Sequence, residues 1–320
     1  MTFARSEIFE PGAVGYYHCV TRCVRRAFLC GVDKLTGKSF EHRREWIRAR
    51  LNFLTGVFAI EVASYAVMSN HLHSLIRTRP DLSKEWSEEE VARRWLRLFP
   101  KRRIKGAPAE PSADEIEAIT LNKTLVKRYR DRLSNISWFN RCLNERIARM
   151  ANAEDECKGR FWEGRFKCQR IYDTSGVLAC SVYIDLNPVR AGIASTPEKS
   201  DYTSIQERIR ARSSKAKRPM AVPLIKIEDL FKKSLTTDEY LALVDRTGRL
   251  MVDGKAKMSE ELLPILDRLK IAPEKWAEAT KDFKFMFRRV VGPKEMLEAA
   301  AEKAKKLWFQ GIGAARVVFG

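Results

Sequence analysis

No run of about 18 consecutive apolar residues occurs anywhere in the 320-residue chain, so no membrane-crossing helix is expected. The first ten residues carry Arg5, Glu7 and Glu10 and lack the apolar stretch of a secretory leader. The expectation is therefore a cytoplasmic protein. Cys-x-x-Cys pairs are absent as well. The seven cysteines (Cys19, Cys23, Cys30, Cys142, Cys157, Cys168 and Cys180) are odd in number and scattered. They read as reduced thiols rather than a disulfide framework. Cys19, Cys23 and Cys30 match no zinc-finger spacing and are expected to be half-buried small residues. Histidine is scarce, with four in the chain, and no internal repeat or low-complexity tract stands out.

Acidic residues are also in deficit. There are 60 Lys and Arg against 41 Asp and Glu, a formal net charge of +19. A surplus of that size favours a polyanionic partner, nucleic acid first and an acidic membrane surface second. The hydrophobic fraction of 45% excludes global disorder. The length accommodates about two domains.

Gly15 to Val24 (GYYHCVTRCV) is rich in β-formers and predicts a first strand. Gly37 to Gly56 spaces Phe40, Trp46, Ile47, Leu51 and Leu54 as an amphipathic helix. Val57 to Met68 and His71 to Thr78 predict two further strands joined at Ser69-Asn70. From Glu85 to Pro111 the character changes. A capped helix opens at Ser87 with Glu90, and Lys101-Arg102-Arg103 and Lys105 lead into a Gly/Pro linker, GAPAEP. This stretch reads as an insertion or mobile arm.

Ser112 and Glu115 form a second capping box, and a helical apolar stripe runs on to Met150. Gly159 to Ile171 predicts a fourth strand region and Thr174 to Leu186 a helix, which Asn187-Pro188 should end. The order β-α-β-β-α-β-α predicts an α+β fold, a ferredoxin-like antiparallel sheet with helices on one face. Past Arg190, a basic run from Arg208 to Arg218 precedes helical patterns at Thr237 to Asp245, Glu260 to Leu269, Pro273 to Val290 and Lys294 to Phe309. The expected division is a domain over 10–195 with a basic, helical insertion near 85–135, then a helical C-terminal extension over 196–320.

Two of the four histidines form His71-Leu72-His73. On a strand, residues i and i+2 share a face, so both imidazoles can reach one cation and leave coordination positions open for a substrate. The plain alternative is a pair of histidines on a sheet face. Downstream, Tyr183 to Arg190 reads YIDLNPVR. A phenol, with its ordinary pKa near ~10, attacks a phosphodiester when a divalent cation withdraws charge from the phosphate. Asn187 lies one helical turn after Tyr183. Its amide oxygen is a candidate third metal ligand, or else Asn187 is a helix-terminal residue set before Pro188. Tyr183 itself has a plain reading as a buried core aromatic.

The segments Ser69-Asn70-His71-Leu72-His73, Tyr183 to Arg190, Gly159 to Phe166 (GRFWEGRF) and YYHCVTR together resemble the IS200/IS605-type single-tyrosine HUH transposases. The resemblance is to their REP-associated tyrosine transposase branch and covers about residues 10 to 195 in motif detail. It implies a ferredoxin-like HUH domain that cleaves and rejoins single-stranded or hairpin DNA. Tyr183 would be the nucleophile, forming a 5′-phosphotyrosine and freeing a 3′-hydroxyl. His71 and His73 would hold Mg²⁺ or Mn²⁺. The resemblance leaves a homodimer open and would make the protein nucleoid-associated. Many single-tyrosine transposases carry Gln one turn after the Tyr, where this chain has Asn187, and most are shorter.

DNA needs cations for its phosphates and aromatics for unstacked bases. Arg22, Arg25 and Arg26 follow the first strand. Arg160 and Arg165 interleave with Phe161, Trp162 and Phe166, and Arg190 follows the tyrosine helix. Arg22, Arg160, Arg165 and Arg190 are the chief DNA-binding candidates, while Trp162 and Phe166 read better as core. The competing function is a non-catalytic, domesticated protein that binds palindromic repeats. A replicative nickase and an RNA-binding sheet protein rank lower, because YIDLNPVR argues against the first and no K/R-G-F/Y-G/A-F motif supports the second.

Overall fold

The computed structural model describes residues 8–24, 29–33, 36–213, 220–253, 273–281, 283–287, 289–303, 309 and 312–318. The chain builds an α+β architecture. Strands β1 (Gly15–Arg22), β2 (Ile60–Val67), β3 (His71–Thr78) and β6 (Lys167–Ile171) pair antiparallel, and β7 (Val290–Val291) joins β6 in parallel. The strand order is β2-β3-β1-β6-β7. Helix α1 (Arg43–Thr55) crosses from β1 to β2. Helix α6 (Ile136–Glu154) lies between β3 and β6, and α7 (Thr174–Asp185) follows β6.

Strand alternation sorts side chains between two cores. Tyr17, Cys19, Leu72, Ile76 and Cys168 pack with Ile47, Leu51 and Leu54 of α1 and with Phe139, Leu143 and Ile147 of α6. On the opposite face Leu75, Ala66 and Ile171 pack against Val177, Leu178 and Val182 of α7. A register shift between Val62 and Ser64 inserts Ala63 as a bulge. It reverses which face each later residue of β2 meets, and so the VFAIEVASYAVM run does not alternate.

Helices therefore cover both faces of the sheet, which corrects the expectation of helices on one face. The reason lies in α7, whose residues Ser175 to Asp185 are all buried. A helix apolar all round needs cover on every side. The C-terminal residues Trp276, Phe283, Phe287, Val290 and Leu297 supply it in the same core. The extension is also not wholly helical, since Val290–Val291 adds a β-branched pair to the open edge of β6.

The N-terminus of α1 is fastened to the end of α6. Arg43, 1% exposed, donates to Glu154 at 2.7 Å and to Asp155. Ser112 and Glu115 do form a reciprocal capping box at the start of α4 (Ala113–Thr120). The stripe read as one helix from Ser112 divides at Asn122, which caps α5 (Lys123–Leu133) through its side chain. The GAPAEP stretch, expected as linker, instead contributes β5 (Ala107–Pro108), which pairs with β4 (Arg103–Ile104). The pattern Glu260 to Leu269 and residues Lys215, Lys217 and Arg218 of the basic run lie outside the described residues.

Candidate active site

The face of the sheet beneath α7 carries the histidines. In register, Arg22 of β1 stands opposite His71, Val20 opposite His73, and His18 opposite both Leu75 of β3 and Gln169 of β6. The spacing of two on β3 brings the His71 and His73 rings to 4.7 Å between centroids. Helix α7 brings Tyr183 down onto them, its ring 5.5 Å from His73 and edge-on to it. Tyr183, far downstream in sequence, thus meets the histidine pair of β3 on one face.

Three hydrogen bonds set the imidazole tautomers. Asn70 Oδ1 accepts from His71 Nδ1 at 2.6 Å. Gln169 Oε1 accepts from His18 Nδ1 at 2.7 Å, so neutral His18 accepts at Nε2 from His73 Nδ1, 2.9 Å away. Both His71 and His73 then carry their proton on Nδ1 and their lone pair on Nε2. This is the outer support that metal-binding imidazoles use. His18 and Gln169 were not singled out in the sequence. The available signal was that His18 is a third histidine on the same face of a predicted neighbouring strand.

The donor chemistry fits a divalent ion held by two imidazoles, with other positions left to substrate and water. Among the described residues no cluster of three or more His, Cys, Asp or Glu could hold a metal ion. Asn187 is buried, with its Nδ2 donating to the Tyr183 carbonyl at 3.0 Å and its Oδ1 accepting from Arg190 at 2.5 Å. Its amide is thus engaged within the helix end. Gln169 Nε2, in contrast, is buried with no hydrogen-bond partner.

Tyr183 is 3% exposed. Phe283 from the C-terminal extension stacks on its ring at 5.3 Å. The Arg190 guanidinium lies 4.5 Å from the ring centroid and also donates to the Lys281 carbonyl. Arg190 is therefore a clamp on the tyrosine, in a cation–π arrangement. Two residues after Tyr183, fully buried Asp185 accepts from Tyr240 at 2.5 Å and from Ser204, with Arg208 at 3.7 Å. Burial pushes the Asp185 carboxyl up, against the pull of Arg208 and those hydrogen bonds.

Arg22, Arg160 and Arg165 are exposed. They lie near the His71 end of the sheet, because Cys23 bridges Trp162 and the Arg22 carbonyl accepts from the Glu163 amide at 2.8 Å. Phe161 and Phe166 are buried, and Trp162 donates to the Asn144 carbonyl at 2.8 Å. Arg25 and Arg26 fall outside the described residues. Cys19, Cys23 and Cys30 are fully buried rather than half-buried, and burial pushes the Cys30 thiol up to about 12.

No protein-family model matches the chain, and no curated protein does. Among solved structures, one is similar in part: a REP-associated tyrosine transposase bound to a REP hairpin. The identity is 12% and the TM-score 0.39, over 70% of this chain and 92% of that one. A likeness so loose fixes neither activity nor residues. No helix among the described residues is long and apolar enough to cross a membrane.

Proposed function

We propose that this chain is a DNA transposase of the single-tyrosine HUH type, with a ferredoxin-like catalytic core. The observation that carries the reading is the meeting of His71, His73 and Tyr183 on one sheet face, with the tautomers of both histidines set by Asn70 and His18. His71 and His73 would hold Mg²⁺ or Mn²⁺, which when bound withdraws charge from the scissile phosphate. The third protein ligand proposed from sequence, Asn187, would have to leave Arg190 to serve. The Tyr183 oxygen attacks phosphorus, the bond to the 3′ oxygen breaks, and that oxygen leaves as a 3′-hydroxyl after taking up a proton. The phenol proton is lost, and the 5′-phosphotyrosine conserves the bond for rejoining. Arg22, Arg160 and Arg165 supply cations for the phosphates beside the site, while Arg190 holds the tyrosine ring.

The proposed partner is single-stranded or hairpin DNA, and the proposed location is the nucleoid. The test is an SDS-resistant adduct with labelled single-stranded DNA from the regions flanking the gene, in Mg²⁺, Mn²⁺ or EDTA. A metal-dependent adduct lost in both Tyr183→Phe and His71→Ala is the expected result. An undiminished adduct in Tyr183→Phe refutes the assignment.

One observation favours a second reading, a non-catalytic protein that binds palindromic repeats. The tyrosine ring is covered by Phe283 and Arg190. Tight hairpin binding by a folded protein that forms no adduct under any metal condition would select that reading.

A further inference from the structure

The inserted segment holds a feature that neither function uses. Residues 103–108 fold as a two-stranded hairpin in which Ile104 pairs with Ala107 across a two-residue turn, with Lys101 and Arg102 leading into it. Lys105 and Gly106 both have positive φ, 49° and 80°. That is the tight turn whose twist matches paired strands, and its second residue is glycine as such turns prefer. Every residue from Lys101 to Pro108 is exposed, and Ile104 near the tip is 62% exposed.

The base of the hairpin is mounted firmly. Ala109 donates to the Arg102 carbonyl at 3.1 Å. Arg102 reaches the Glu110 carbonyl at 3.0 Å and Glu115 at 3.2 Å, and Glu115 also closes the capping box of α4 with Ser112. Arg102 is thus a strut. Lys101, Arg103 and Lys105 remain, and none of them has a carboxylate partner among the described residues. Arg103 lies across the turn and donates to the Gly106 carbonyl at 3.0 Å. No acidic residue occurs between Lys101 and Ala109.

We propose that this hairpin is a second nucleic-acid contact, a basic finger that engages the backbone and groove of duplex DNA. A two-stranded ribbon fits the major groove, and three cations around a single apolar tip residue complement phosphates flanking a base edge. The finger has no aromatic residue, and single-strand binders rely on aromatic stacking platforms, so duplex is the occupant its composition fits.

The experiment uses the full chain and fluorescence anisotropy, with a 20-base-pair duplex and a 20-nucleotide single strand as probes, each titrated at several salt concentrations. The finger variant combines Lys101→Gln, Arg103→Gln and Lys105→Gln. The control combines Lys226→Gln, Lys232→Gln and Lys233→Gln, exposed cations outside the insertion that remove the same charge. Three lost phosphate contacts should make the duplex log–log salt slope shallower by about 2.7. Between 50 and 200 mM salt, wild type should then lose about 40-fold more duplex affinity than the finger variant. The control should keep close to the wild-type slope. An unchanged slope in the finger variant, an equal change in the control, or a larger change on the single strand than on the duplex each overturns the proposal. None of these readouts involves cleavage, so the result is separate from the fate of the Tyr183 assignment.

Discussion

Replacing His18 tests the chemistry of the site without touching a residue proposed to meet DNA. His18 is buried between Gln169 and His73, with ring-nitrogen contacts of 2.7 and 2.9 Å. His18→Leu keeps an apolar filling but removes both bonds. Gln169 Oε1 loses its donor and His73 Nδ1 loses its acceptor. Each buried group left without that bond costs about 1–3 kcal/mol, so the fold should lose roughly 2–6 kcal/mol. With Nδ1 no longer held as the donor, the His73 proton is free to move to the other ring nitrogen. Loss of such a supporting partner lowers metal affinity about 10- to 100-fold, or about 1.4–2.7 kcal/mol. The assay is Mn²⁺ binding by calorimetry, with urea denaturation run alongside to confirm the folded state. His18→Gln, which keeps a polar group in the gap, should fall between wild type and His18→Leu. Folded His18→Leu that binds Mn²⁺ as wild type does would refute the tautomer argument. If His71→Ala also left binding unchanged, the two-imidazole site itself would fail.

Alkaline pH should destabilise the fold. Burial pushes Cys30 from 9.0 to about 12, Cys142 from 9.0 to about 11 and Tyr17 from 10.0 to about 12. The folded chain keeps these protons where the unfolded chain has released them, so stability falls as pH rises above about 9. These three groups alone should cost about 3 kcal/mol between pH 8 and pH 10, with buried Cys180, Tyr65 and Tyr240 shifted in the same direction, and equal urea midpoints under reducing conditions at the two pH values would contradict it. Arg43→Ala should cost about 3–5 kcal/mol, because it leaves Glu154 and Asp155 without their buried cation, and thermal denaturation reads the shift. Gly176→Ala should cost about 1–3 kcal/mol, since an added Cβ would sit 2.9 Å from both Ile171 Cγ2 and Val291 Cγ1. Phe283→Ala should uncover the Tyr183 ring and raise its rate of nitration by tetranitromethane relative to wild type, and an unchanged rate at that tyrosine would show that Phe283 does not shield it.

Local periodicity was a good guide wherever one element buries one face. His71 to Thr78 forms a strand with the expected bounds, and Thr174 to Asp185 forms the expected helix. Capping chemistry was equally legible at Ser112, where both halves of the box form. What pattern alone did not deliver was the consequence of α7 being apolar on all sides. The run VLACSVYI contains no polar stripe, and that absence already requires a second covering layer. The extension that supplies it lies roughly a hundred residues downstream, and the pairing of Phe283 with Tyr183 has no local signature.

The same limit explains the site. His71 and His73 announce themselves because two residues on one strand share a face by geometry alone. His18 and Gln169 join them only through strand order, since β1 must lie between β3 and β6 for one imidazole to reach both neighbours. The hairpin at 103–108 inverts the lesson. Its glycine and prolines read as a linker, yet Lys105-Gly106 is also a turn, and Pro108 is tolerated in a two-stranded ribbon because a strand with an outer edge need not donate there. Composition marked where the chain changes direction. The register of neighbouring residues decided whether that change became a loose arm or a rigid finger that presents cations to solvent.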